Sequence, residues 1–101
     1  MGGHLDCCGA AEIEHVRNVS EGFHESEWIC RCKGCGQFWY SSSWTEQVAG
    51  GKLEEIRYFR ISPAEAAKIL RGSARPMLED RDAIAVLNGA SARRVRGFGP
   101  V

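Results

Sequence analysis

The 101-residue chain has no long apolar run, and uncharged stretches such as Gln37 to Thr45 are too short and too polar to span a bilayer. Its first residues, Met1-Gly2-Gly3-His4-Leu5-Asp6, lack the basic region and apolar core of an export signal. These two absences make a cytoplasmic protein with no membrane contact the expectation. No Gly-rich phosphate loop, His-Glu-x-x-His helix or nucleophile elbow occurs, so the expectation is a protein that is not an enzyme. There is no internal repeat. Net charge is nil, with 13 Lys and Arg against 13 Asp and Glu. Positive charge is scarce where a basic nucleic-acid-binding face would be expected: residues 1–61 carry 6 basic against 9 acidic side chains, and residues 62–101 carry 7 against 4.

Five cysteines are present, Cys7, Cys8, Cys30, Cys32 and Cys35. An odd number without an export signal argues against a disulfide framework, which a reducing compartment would not sustain. All five fall in the first 35 residues, in two groups, which is how a metal site is distributed. A chain of this length has a modest core and often needs such a staple. The 44% apolar and 26% charged content is that of a globular protein.

Residues 12–20, 24–32, 37–45 and 52–61 read as strands, from partial alternation and from aromatic and β-branched content. Turns are expected at Ser20-Glu21-Gly22, between Cys32 and Cys35, and at Gly50-Gly51. The end of the fourth strand, with Ile56, Tyr58, Phe59 and Ile61, is apolar on both faces and needs a layer on each. Ser62-Pro63-Ala64-Glu65 is a helix start: Ser at the N-cap, Pro at the first helical position and Glu completing a capping box. Gly72 is placed to end that helix. Leu78 to Asn88 reads as a second helix, with Ala83, Ile84, Val86 and Leu87 on its buried side. The expected architecture is α+β: a zinc-stapled antiparallel sheet followed by two short C-terminal helices. One domain covers 1–89, and 90–101, with Arg93, Arg94 and Arg96, forms a flexible basic tail.

Cys32-Lys33-Gly34-Cys35-Gly36 is the strongest motif. Two thiolates separated by two residues in a tight turn grip one ion, and the following glycine tolerates a left-handed backbone. Through Gln37-Phe38-Trp39 this segment resembles the second knuckle of zinc-ribbon and rubredoxin-like proteins. The first knuckle departs from that pattern, because Leu5 stands where the partner of Cys8-Gly9 would be a cysteine. His4 with Cys7, Cys7 with Cys8, or Cys30 could complete the set. The favoured ligands are Cys7, Cys8, Cys32 and Cys35, holding one structural Zn2+, because His4 adjoins a Met-Gly-Gly end and Cys30 occupies a position suited to core. His15 and His24 have no partner at helical spacing and read as surface or core residues.

Four protein ligands would close the coordination shell and leave no place for a catalytic water. The leading reading is therefore a small macromolecule-binding module with a protein partner, by analogy with immunity and accessory proteins. A nucleic-acid-binding ribbon is the first alternative, kept open by the basic second half. An iron-bearing rubredoxin-like protein or a thiol redox protein is another. Trp28, Phe38, Trp39, Tyr40 and Trp44 are too many to lie outside a small core, so most are expected to be buried.

Overall fold

The computed structural model describes residues 5, 7–9, 12–22, 24–72, 78, 80–88 and 91–97. Among these residues six strands and one helix follow in the order β1 (Ile13–Glu21), β2 (Glu25–Cys32), β3 (Phe38–Val48), β4 (Gly51–Ile61), α1 (Pro63–Leu70), β5 (Asp82–Leu87) and β6 (Ser91–Arg96). All six strands join one antiparallel sheet in sequence order. The first four lie where alternation and turn chemistry place them. No helix among the described residues is long and apolar enough to cross a membrane.

The C-terminal region corrects the expectation of an α+β fold with two C-terminal helices. The protein is mostly β, with α1 its one helix among the described residues. Asp82–Leu87, expected within a helix over Leu78 to Asn88, is a strand whose four central residues are buried on both faces. The run Ala83 to Leu87 is unbroken apolar sequence, so periodicity cannot separate it from a helix. What decides is the partner: the both-sided apolar end of β4 pairs with β5, Phe59 opposite Ala83 and Tyr58 opposite Ile84. Asn88, expected at the helix stop, has φ +50° and turns the chain toward β6 instead. Ser91–Arg96, expected to fray within a basic tail, pairs with β5 along its whole length.

The sheet has two unlike faces, as the two-residue period of a strand requires. Ile29, Tyr40, Phe59, Ala83 and Val95 lie side by side in a row from β2 to β6. Ala66 and Ile69 of α1, with Leu78, cover that row. The opposite face carries Cys30, Trp39, Ile84 and Val86, and the N-terminal segment supplies their cover through Leu5, which is buried against them. Of the five aromatic residues expected mostly in the core, Trp39 and Tyr40 are fully buried and Trp28, Phe38 and Trp44 partly so.

Helix α1 is placed by its cap. Ser62 accepts a hydrogen bond from the Glu65 backbone N–H, and the Glu65 carboxylate accepts one from the Ser62 N–H. The same carboxylate takes a two-pronged ion pair from Arg81, just before β5, and this holds Glu65 down to about 2 from its usual 4.5. A depressed carboxylate stabilises the fold above its unfolded pKa, and that contribution is lost as pH falls through the folded value. Glu65→Gln keeps the capping box and removes the charge. It is expected to cost about 1 kcal/mol near neutral pH and to converge on wild type as pH falls from 4.5 toward 2. Thermal melts of both proteins across that range check this.

At the far end of the α1 face lies a buried ion pair. Arg57 donates to the Glu55 carboxylate at 2.7 Å and to the Gly97 carbonyl at 2.8 Å, tying β4 to the end of β6. Edge strand β1 is bulged twice, and Val16 and Val19, which sit at the irregularities, are partly exposed. Bulges of this kind discourage an edge from pairing with another chain.

Candidate metal centre

Cys32 ends β2, and Cys35 lies in the turn that follows. The turn is closed by Gly36 N–H bonding the Cys32 carbonyl at 2.7 Å and by Cys32 N–H bonding the Gln37 carbonyl at 2.8 Å. Gly36 has φ +82°, a left-handed conformation that a side chain would strain. The backbone N–H of Lys33 donates to the Glu12 carbonyl at 2.7 Å, so the chain leading into β1 runs alongside the turn. Cys7 and Cys8, a few residues upstream, are thereby brought onto it. The backbone bends at both residues, which lets adjacent side chains meet at one point instead of pointing apart.

The structure brings Cys7, Cys8, Cys32 and Cys35 together, with all four sulfurs within 4.8 Å of one another. Cys8 Sγ and Cys32 Sγ are 3.8 Å apart. Four sulfurs around zinc at about 2.3 Å form a tetrahedron with edges of about 3.8 Å, so this cluster needs little contraction to take the ion. Cys30, the fifth cysteine, is elsewhere: its sulfur is buried and lies 3.3 Å from Ser41 Oγ. His4 lies outside the described residues. His15 and His24 are exposed and take no part in the cluster.

Leu5 accounts for the irregular first knuckle. The position where the ribbon pattern would place a cysteine is used as core, against Trp39, Ile84 and Val86, and the vicinal pair Cys7-Cys8 supplies both sulfurs.

The electrostatics set Cys32 and Cys7 apart. Hydrogen bonding from the Glu12 backbone, with smaller help from the Cys35 and Gly34 backbones, draws Cys32 down to about 6. Burial first, and then the neighbouring Cys35 and Cys32 thiols, push Cys7 up to about 12. A cluster of this kind holds protons that a metal must displace, because the metal ligand is the thiolate. Trp39 fits that requirement. Its buried Nε1–H has no partner in hydrogen-bond geometry, yet it packs beside Cys7 and favours that residue's thiolate. A negatively charged sulfur on Cys7 would satisfy an otherwise orphaned donor, and such donors to ligand atoms tune a metal site. Sequence reasoning expected most of the five aromatics to be buried but gave no sign of this contact, which depends on the N-terminal segment lying against the sheet.

The donor set therefore suits a soft divalent ion bound by four thiolates, as in a zinc-ribbon-like site. No known protein family, curated protein or solved structure matches this chain.

Proposed function

We propose that the protein is a zinc-stapled β-sheet module that works by binding another protein, and that its metal is structural rather than catalytic. The observation that carries this reading is the convergence of four cysteine sulfurs within 4.8 Å. A shell filled by four thiolates has no open position for substrate or water. The ion would instead pin the N-terminal segment, with Leu5, across the face opposite α1. A small sheet with one covered face and one helix-covered face then presents its rims and edges to a partner. The acidic first half, more acidic still with four thiolates on one ion, favours a protein over a nucleic-acid partner.

Cobalt substitution tests the closed site. The Co2+ protein is expected to show the intense sulfur-to-metal and ligand-field absorption of a tetrahedral four-thiolate centre, unchanged by added cyanide or azide. A spectrum that shifts on adding either anion would mean an open coordination position and a catalytic reading instead.

A further inference from the structure

The four clustered sulfurs lie within 4.8 Å of one another, yet they are not equally placed. Cys35 is exposed, Cys7 and Cys8 are half-buried, and Cys32 is buried. A thiolate is open to peroxide when it is exposed and when a second sulfur stands ready to resolve the product. Cys35 meets both conditions, because its thiol is the first hydrogen-bond partner of Cys7, ahead of Cys32. Cys8 and Cys32 form a second contact, with their sulfurs 3.8 Å apart. Both contacts run from the N-terminal segment to the end of β2 and its turn.

Four cysteines can form two disulfides in three ways. The backbone works against one of them, Cys7 with Cys8 and Cys32 with Cys35. The Cys7-Cys8 peptide bond is trans, which sets the two Cα atoms about 3.8 Å apart. A disulfide spans about 4.4–6.8 Å between Cα atoms and stores strain outside that range. Each of the other two ways joins both N-terminal cysteines to Cys32 and Cys35. The observed contacts select one.

We propose that the cluster is also an oxidation site, at which a hydroperoxide converts the four thiolates into two disulfides, Cys7–Cys35 and Cys8–Cys32. The Cys35 thiolate attacks the peroxide O–O bond and becomes a sulfenic acid, and the departing hydroxide takes up a proton to form water. The Cys7 thiolate then closes the S–S bond, and the sulfenic oxygen leaves, protonated, as a second water. A second peroxide oxidises Cys8 and Cys32 in the same way. In total, four thiolates, two molecules of hydrogen peroxide and four protons give two disulfides and four waters, and the ion, deprived of its ligands, is released. The disulfides hold Leu5 on the sheet where the metal held it, and each closes a long loop that restricts the unfolded chain. The fold thus survives oxidative loss of the metal but not its removal by a chelator. The inference rests on the structural-metal reading and is independent of the protein-partner reading.

The test uses the full chain as purified, with its zinc content measured first, treated with two equivalents of hydrogen peroxide and then with chelator. Trypsin cuts after Arg17, Arg31, Lys33 and Lys52, so a non-reduced digest separates Cys32 from Cys35. Peptides 32–33 and 34–52 are both expected to stay joined to peptide 1–17. Fragmentation between Cys7 and Cys8 should then assign Cys7 to Cys35 and Cys8 to Cys32. Cys30, buried beside Ser41, should remain a thiol. Strand circular dichroism should persist in the oxidised protein with chelator present. It should fall to the level of chelated, unoxidised protein once a dithiol is added. Four thiols unreacted, a Cys32–Cys35 disulfide with Cys7 and Cys8 outside it, the exchanged pairing, Cys35 driven to sulfinic acid, or loss of strand signal on oxidation would each overturn the proposal. Protein purified without zinc would overturn the metal reading alone, since the digest still reports the pairing. No variant is needed, so a substitution that fails to fold cannot mask the answer.

Discussion

Cys35→Ser, or removal of the metal by a chelator, is expected to unfold the N-terminal half of the protein. A structural zinc site in a small domain contributes on the order of 10 kcal/mol, against a total stability of about 5–15 kcal/mol for a typical native protein. The loss has a defined structural path. Cys35 is the exposed member of the cluster, so the substitution itself disturbs little packing. Without the ion, the contacts that hold the described N-terminal residues on the sheet are the packing of Leu5 and Cys7 and the backbone hydrogen bond and exposed ion pair between Lys33 and Glu12. Departure of Leu5 would bare Cys30, Trp39, Ile84 and Val86, the whole apolar cluster of that face. Burial of one such leucine is worth about 2–3 kcal/mol, too little to hold the segment against its conformational entropy. The expected readout is loss of strand circular dichroism and a red shift of Trp39 emission, on chelation as in Cys35→Ser. Cys30→Ala serves as the control. Its sulfur lies outside the cluster, beside Ser41, so the variant should keep the metal and lose only a small packing contribution. A Cys35→Ser protein with unchanged melting and circular dichroism would remove the structural role of the metal.

Arg57→Ala is expected to produce the next largest effect, about 3–5 kcal/mol of destabilisation. Both members of the Arg57–Glu55 pair are about 8% exposed, so truncating the arginine leaves a carboxylate with little access to water. Arg93, whose guanidinium lies 3.8 Å from the same carboxylate, is itself largely exposed and replaces only part of the lost interaction. The Gly97 carbonyl also loses its donor, loosening the end of β6. Attraction within a buried pair roughly offsets the cost of desolvating it, so the penalty comes from the charge left behind. The double substitution Glu55→Leu with Arg57→Met should therefore recover most of the stability lost in Arg57→Ala. Urea denaturation of the three proteins measures both effects. An Arg57→Ala variant within about 0.5 kcal/mol of wild type would show that the pair is not buried in solution.

Much of the first sixty residues was legible because local signals agree there. Trp28, Cys30 and Cys32 alternate with Ile29 and Arg31, and the Cys32–Gly36 turn has its own chemistry. Ser62-Pro63-Ala64-Glu65 specifies a helix start without reference to anything distant. Cys32 and Cys35 followed from their spacing, whereas Cys7 and Cys8 were favoured because His4 adjoins a Met-Gly-Gly end and Cys30 suits the core, where its thiol lies against Ser41. The C-terminal third was misread because its decisive information is long-range. Asp82–Leu87 is short and apolar from Ala83 onward, and only its pairing with β4 makes it a strand. The both-sided apolar character of Ile56, Tyr58, Phe59 and Ile61 pointed to missing neighbours but not to which segment supplied them. The helix stop expected at Asn88-Gly89 meets instead an Asn88 that turns the chain back toward β6, which lies within the expected tail. Trp39's place beside Cys7, and the role of Leu5 as cover for the sheet, depend on the path of the N-terminal segment. No local pattern encodes that path.

The most direct test of the central claim is elemental analysis of the purified protein with a count of reactive thiols before and after chelation. The account predicts one zinc per chain, with the thiols of Cys7, Cys8, Cys32 and Cys35 protected until the chelator removes the ion and Cys30 shielded by burial while the fold persists. Protein that carries no metal and shows these four thiols reactive from the start, with its fold intact, would contradict it.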